Sequence, residues 1–298
     1  MTPGIHLVHK PVGPTSFSIV QSYLARARVE HPHHPPRICH GGTLDPFASG
    51  LLLILVGPAT KLFDYLHDVP KVYEATVRWG LEMDNGDPLG TPVFTGDASR
   101  LSTDRLDSAL RSFIGWHEQI PPATSNRRIG GERAYAKAHR GEAVELPPSR
   151  VYLHEARWLS HDPPNTSRVR LTTRGGYYVR ALARDLGRQL GCGAHLTDLR
   201  RIAIGPWGDL EPDRVVELTG AEILPWLPSR ILTDQEMGAL RLAQPIHAGR
   251  PLPPDWNLPQ AFPEPRWLVR AFHQDRLVFL LSQDANKATP SISLGRGL

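Results

Sequence analysis

The stretch His40-Gly41-Gly42-Thr43-Leu44-Asp45-Pro46-Phe47-Ala48-Ser49-Gly50-Leu51 puts one carboxylate in a short glycine-bounded loop, just ahead of the apolar run Leu51 to Val56. An ionised carboxylate held there can act as a nucleophile. Asp-Pro between glycines is also ordinary turn chemistry, and on the loop alone the structural role is favoured. Two further groups could do chemistry. Gly175-Gly176-Tyr177-Tyr178-Val179-Arg180 brings tyrosines and an arginine to a glycine-flanked junction; taken alone, Tyr178 reads as a packed ring and Arg180 as a surface charge. From Arg127 to Arg140 the chain carries Arg127, Arg128, Arg133, Lys137 and Arg140 against the single acid Glu132. That composition fits a basic arm for phosphates and a solvated charged face about equally.

Metal chemistry is poorly supported. His31, His33, His34, Cys39 and His40 lack the regular ligand spacing of zinc motifs and a nearby carboxylate pair, so a solvated loop is expected. Asp84-Asn85-Gly86-Asp87-Pro88-Leu89-Gly90 has the oxygen-rich look of a calcium loop, but without the later ligands and distal glutamate of an EF-hand it reads as a surface turn.

The elements that must position these residues follow from periodicity. Ile5 to His9 reads as a short strand, and the turn Lys10 to Ser16 offers hydroxyls that can cap a helix with Phe17, Val20, Leu24 and Ala27 on one apolar face. Leu51 to Val56 reads as a buried strand and Ala59 to Leu66 as a short helix. Lys71 to Trp79 alternates, which makes a strand presenting Tyr73, Ala75, Val77 and Trp79 inward. Thr103 can cap a helix carrying Leu106, Leu110 and Phe113. Val151 to Leu159 and Arg168 to Thr173 are strand candidates. The Tyr178 junction leads into a helix with Leu182, Leu186 and Leu190 on one side, ended by Gly191, and Leu199 would ordinarily be core. In the proline-rich tail, Thr233 with Glu236 reads as a capping box, and Trp267 to Phe272 and Leu277 to Leu281 as strands.

The 298 residues, 40% hydrophobic and 21% charged, suffice for one large domain and a small one, and 29 prolines imply many loops. A net charge of +4 and a pI near 9.2 are compatible with a polyanionic partner without establishing one. Cys39 and Cys192 form no paired motif, so a reducing cytoplasm fits better than a disulfide framework. No leader pattern opens the chain, and the apolar run is far shorter than the ~20 residues a spanning helix needs. Export and membrane insertion are therefore not expected.

Several motifs occur in a telling order: Leu7-Val8-His9-Lys10-Pro11-Val12-Gly13, His40 through Leu51, Lys71-Val72-Tyr73, Gln119-Ile120-Pro121-Pro122 with Ser125, and Gly131 to Tyr135. They are followed by Gly176-Tyr177-Tyr178-Val179-Arg180, Asp185-Leu186-Gly187, Leu190-Gly191-Cys192-Gly193-Ala194-His195 and Leu199-Arg200-Arg201. Together they resemble, nearly end to end, the TruB-type tRNA pseudouridine synthases, bacterial enzymes that isomerise uridine 55 in the T loop. The resemblance implies an α+β catalytic domain over residues 1–232, built on a mixed, largely antiparallel sheet with an RNA-binding cleft and an RNA-gripping segment at about 121–150. It implies more loosely that residues 233–298 form a small β-rich, PUA-like domain.

By the same resemblance the protein is an isomerase needing no cofactor and no metal, with the tRNA elbow as partner, no membrane and no obligatory protein partner. Asp45 matches the essential nucleophile, attacking either ribose C1′ or base C6, and Arg180 matches the arginine that pairs with it. Tyr73 matches the aromatic that stacks on the target base, Tyr178 and Leu199 match residues lining the base pocket, and His40 matches a histidine that contacts the RNA. Arg127, Arg128, Arg133, Lys137 and Arg140 become RNA-binding residues. The chain departs from the family where Ser125-Asn126-Arg127-Arg128 replaces Ser-Ala-x-Lys and where His139 precedes Arg140. Two rival readings are a guide-dependent relative that modifies ribosomal RNA within a complex, and a noncatalytic chaperone that grips and refolds tRNA through the same cleft. A carboxylate glycosidase would need a second acid that the Asp45 loop lacks.

Overall fold

The computed structural model describes residues 1–125, 127–259, 262, 268–284 and 286–298. Asn126 and Trp267, expected in the basic arm and at the head of a strand, lie outside the described residues, as do the side chains of Arg128, Arg133 and His139. The chain divides into two units, one formed by Met1–Pro46, Gly50–Val69 and Gly205–Leu298, the other by Phe47–Ser49 and Pro70–Ile204. No helix among the described residues is long and apolar enough to cross a membrane.

In the first unit the Gly4–Lys10 strand pairs antiparallel with Ser49–Val56, from Gly4 opposite Val56 to Lys10 opposite Gly50, and with Val215–Leu218 on its other side. Ile38–His40 adds to the far edge of Ser49–Val56. That strand is therefore central, and its unbroken apolar run is the pattern of a strand buried on both faces. The Ser16–Glu30 helix is capped by Thr15, whose hydroxyl accepts from the Ser18 N–H, and packs Val20 and Tyr23 against Val8, Leu52, Ile54 and Val56. Its buried face differs from the expected one. Ser16, Val20, Tyr23 and Ala27 point inward, while Phe17 is 58% exposed. The helix can turn a serine inward because that hydroxyl finds two backbone partners, which offsets the cost of removing it from water. The helix expected at Ala59 to Leu66 is a 3-10 turn, Gly57–Leu62, running into one α-turn, Phe63–His67.

The same unit holds a five-stranded sheet in the order Ser229–Ile231, Leu268–His273, Arg276–Gln283, Lys287–Ser293, Ile246–His247, parallel only at its first pair. The Asp234–Arg241 helix begins at the expected Thr233/Glu236 capping box and contributes Met237 and Leu240 to a core with Ala271, Val278, Phe279, Leu281 and Ala288.

In the second unit five strands follow the order Ala194–Ile204, Lys71–Trp79, Thr166–Thr173, Ser149–Asp162, Gly115–Gln119, all antiparallel. Tyr73, Ala75, Val77 and Trp79 are all buried, as the alternation requires. The Val179–Leu190 helix ends at Gly191 with φ +77 and lies so close to the Ala194–Ile204 strand that a Cβ on Gly187 would stand 2.2 Å from the Ala194 nitrogen. The Thr103–Arg111 helix is capped by Ser102, not Thr103, because the Ser102 hydroxyl is the one three residues ahead of the Arg105 N–H it meets. The α+β expectation, with a largely antiparallel sheet and a small β-rich C-terminal region, holds.

Candidate active site

The backbone around Asp45 is fixed from both sides. Ser16 Oγ accepts from the Leu44 N–H at 2.8 Å and donates to the Leu44 carbonyl at 3.0 Å, and the Gly13 N–H donates to the Pro46 carbonyl at 2.8 Å. Further back, the Gly41 N–H donates to the Leu53 carbonyl at 2.8 Å. A Cβ on Gly41 would stand 3.0 Å from that of Leu53, so a larger residue would push the loop off its strand. Asp45 is half-buried, and His40, also half-buried, ends the Ile38–His40 strand of the same unit. A carboxylate on a pinned backbone, partly open to solvent, suits nucleophilic attack on a docked substrate.

The second unit carries the other expected residues. Tyr73 and Leu199 are buried on adjacent strands, Leu199 opposite Ala75. Tyr178 is half-buried, and Gln119, 1% exposed, holds its backbone by donating from Nε2 to the Tyr178 carbonyl at 3.3 Å and accepting the Tyr178 N–H on Oε1 at 3.1 Å. Its amide supplies both the donor and the acceptor that these two groups need. Its neighbour Tyr177 is the buried ring of the pair. Burial, helped by the negative charge of Asp185, pushes the Tyr177 hydroxyl well above its ordinary range, so it stays neutral.

Arg180 is a buried charge, not a surface one. Its Nη1 donates to the Asn85 carbonyl and the Thr124 hydroxyl, both at 2.8 Å, and to Asp87 Oδ2 at 3.3 Å, while Nη2 donates to the Thr124 carbonyl at 3.5 Å. The oxygen-rich run expected to be a surface turn thus has a different role. Asp87 is 5% exposed, its Oδ1 accepts from Asn85 Nδ2 and the Leu89 N–H, and its other oxygen faces the arginine. Gly86, at φ +74, lets the loop approach so closely that a Cβ there would lie 3.2 Å from both Cβ and O of Arg180. The carboxylate points inward because it balances a buried cation.

The basic arm is partly neutralised by its own acids. It forms a hairpin of Arg128–Ile129 and Glu132–Arg133 followed by the Ala134–His139 helix. Arg140 donates to Glu132 at 2.6 Å and Glu142 at 2.7 Å, which raises its already high pKa, and Lys137 lies 3.8 Å from Glu142. Arg127 is exposed. Arg140 is thus occupied by carboxylates, whereas Arg127 is open to solvent.

A family model for the TruB family pseudouridylate synthase N-terminal domain matches residues 30–179, and one for the tRNA pseudouridylate synthase B C-terminal domain matches residues 180–222. The chain belongs to the TruB family of pseudouridylate synthases. Its curated TruB relatives include the tRNA pseudouridine synthase B of Thermobifida fusca, 39% identical over 70% of this chain and 71% of the relative. The same-named protein of Thermotoga maritima is 34% identical over 79% and 77%. Among solved structures, a Cbf5-Nop10-Gar1 complex aligns with a TM-score of 0.65 over 97% of this chain and 84% of that one. At 19% identity this likeness speaks for a shared fold and nothing finer.

Five residues that hold the Asp45 loop, Tyr178 or Arg180 are given no site role from sequence: Ser16, Gln119 and Thr124, with Asn85 and Asp87 read only as a surface turn. Ser16 and Gln119 stand in motifs that carried the resemblance or border them, and only their positions there hinted at a role. Replacing Ser16 by alanine is expected to cost about 1–3 kcal/mol, because both Leu44 backbone groups lose a buried partner. Urea unfolding measures that loss. A several-fold drop in turnover should accompany it, and unchanged turnover at reduced stability would mean that the clamp serves the helix rather than the loop.

Proposed function

We propose that this enzyme converts uridine 55 in the T loop of tRNA to pseudouridine, with Asp45 as nucleophile. The relatives named tRNA pseudouridine synthase B support tRNA as substrate and pseudouridine formation as reaction. The observation that most favours Asp45 is the loop itself: a half-buried carboxylate between two backbone anchors, Leu44 and Pro46. The N1–C1′ bond breaks, the base turns, and C5 joins C1′; C5 then loses its proton to solvent and N1 gains one. The balance is an isomerisation with no net oxidation, so no redox cofactor enters it. Asp45 attacks either C1′ or C6 on the way.

In this reading Arg180 pairs with Asp45, keeping it ionised and oriented. Tyr73 stacks on the base and is the candidate for handling the C5 proton, Tyr178 and Leu199 line the base pocket, and His40 contacts the RNA beside the flipped uridine. Extruding that uridine costs a few kcal/mol, which RNA contacts must supply. Arg127, Arg128, Arg133, Lys137 and Arg140, in the segment 121–150, supply them through phosphate contacts. The catalytic domain spans residues 1–232 and a PUA-like domain 233–298, the latter supported by the Asp234–Arg241 helix and a core that also takes in Leu232. The enzyme works in the cytoplasm without an obligatory protein partner; the free thiols of Cys39 and Cys192 fit that compartment.

Tritium release from a tRNA transcript labelled at C5 of its uridines tests the assignment. One equivalent should be released per transcript, and none when uridine 55 alone is changed to cytidine. Release that survives the change would place the target elsewhere.

A further inference from the structure

Thr124 sits where the basic arm leaves the sheet. The Ser125 N–H closes a turn onto the Pro122 carbonyl at 3.0 Å, and the returning chain is tied to the same root by Tyr135 N–H to the Ser125 carbonyl at 3.1 Å and Ala134 N–H to the Arg127 carbonyl at 2.7 Å. The hydroxyl and the carbonyl of Thr124 both accept from Arg180, one from each terminal nitrogen. A guanidinium is a planar fork, and two acceptors from one residue along its edge set the tilt of that plane. Asn85 and Asp87 hold Nη1 from the loop on the other flank.

We propose that Thr124 is a positioning residue for the isomerisation: it couples the root of the RNA-gripping arm to the orientation of Arg180. The inference rests on the reading in which Arg180 serves Asp45. The arginine is held in its working plane while the root of the arm is seated, so contacts that secure the arm on RNA also secure the catalytic pair. Thr124 does not touch the base. Its hydroxyl affects the rate of reaction on bound tRNA rather than the binding of tRNA.

Thr124→Val keeps the β-branched shape and removes the acceptor, and Thr124→Ala removes it in a smaller residue; Thr124→Ser keeps it. Single-turnover rates at saturating tRNA and filter-binding affinities are measured for all three beside Arg180→Lys. The valine and alanine variants should react roughly 10-fold more slowly, the effect of one charge-assisted hydrogen bond. Their tRNA affinity should stay within about two-fold of wild type, and the serine variant should react within about three-fold of it. Wild-type rates for both hydroxyl-free variants, a serine variant as slow as valine, or a loss confined to affinity would each overturn the proposal. If Arg180→Lys reacts at the wild-type rate, the reading beneath it falls as well; a slow Arg180→Lys beside a normal Thr124→Val sinks the Thr124 inference alone.

Discussion

Replacing Asp45 by alanine is expected to abolish pseudouridine formation, lowering the single-turnover rate by about 10⁴-fold or more, as removal of a nucleophile does elsewhere. Affinity for tRNA should change by no more than a few-fold. The separation follows from the geometry. Ser16 and Gly13 hold the loop through the backbone of Leu44 and Pro46, and truncating the carboxylate leaves those bonds in place. In the proposed reading, the phosphate contacts that dominate RNA affinity come from the basic arm. Asp45→Asn is the stricter variant, since it keeps the volume and removes only the charge. Tritium release and filter binding on the same preparation decide the matter. A variant that still isomerises within ten-fold of wild type would exclude Asp45 as nucleophile, whereas one that loses tRNA binding in parallel would show the side chain to be structural.

The second large effect concerns stability. Arg270, wholly buried on the Leu268–His273 strand, donates to the carbonyls of Leu227 at 3.0 Å, Ala221 at 2.7 Å and Ile223 at 3.2 Å, and to Asp255 Oδ2 at 2.6 Å. Arg270→Met fills most of the volume but leaves those carbonyls without their donor, at about 1–3 kcal/mol each when no water reaches them. The expected loss is about 3–5 kcal/mol, the range for breaking a buried charged network. Asp255 adds little to it, since its side chain is 61% exposed and its charge stays hydrated. Arg270→Lys keeps the charge with a single donor head and should recover less than half. Urea unfolding followed by tryptophan fluorescence reports the change. A loss below about 1 kcal/mol would mean that the carbonyls find other partners.

What the sequence made legible depended on the range of the interaction. The Lys71–Trp79 alternation, the Gly191 helix end and the Thr233/Glu236 box are local patterns, and each appears where periodicity or capping placed it. The Ser16–Glu30 helix was found but its rotation was not, because a serine that meets two backbone groups 28 residues away breaks the apolar stripe. Asp87 was misread for the same reason. Its loop has the composition of a solvated turn, and only the arginine 93 residues later explains its burial. The proposed catalytic roles rest on motifs in family order, since an aspartate in a glycine-bounded loop has no local mark of reactivity.

The Gly4–Lys10 strand, paired with Val215–Leu218 across more than 200 residues, also bears on how the enzyme comes into being. The unit made largely of Pro70–Ile204 is nearly continuous, so on a ribosome its strands can meet as soon as they emerge. The unit that carries Asp45 gathers segments from both ends of the chain and must wait for the last of them. Long-range pairing of this kind is slow because the intervening loop must close first. A nascent chain therefore completes the Pro70–Ile204 unit before the unit that carries Asp45, and the Gly4–Lys10 strand waits for Val215–Leu218 to be made.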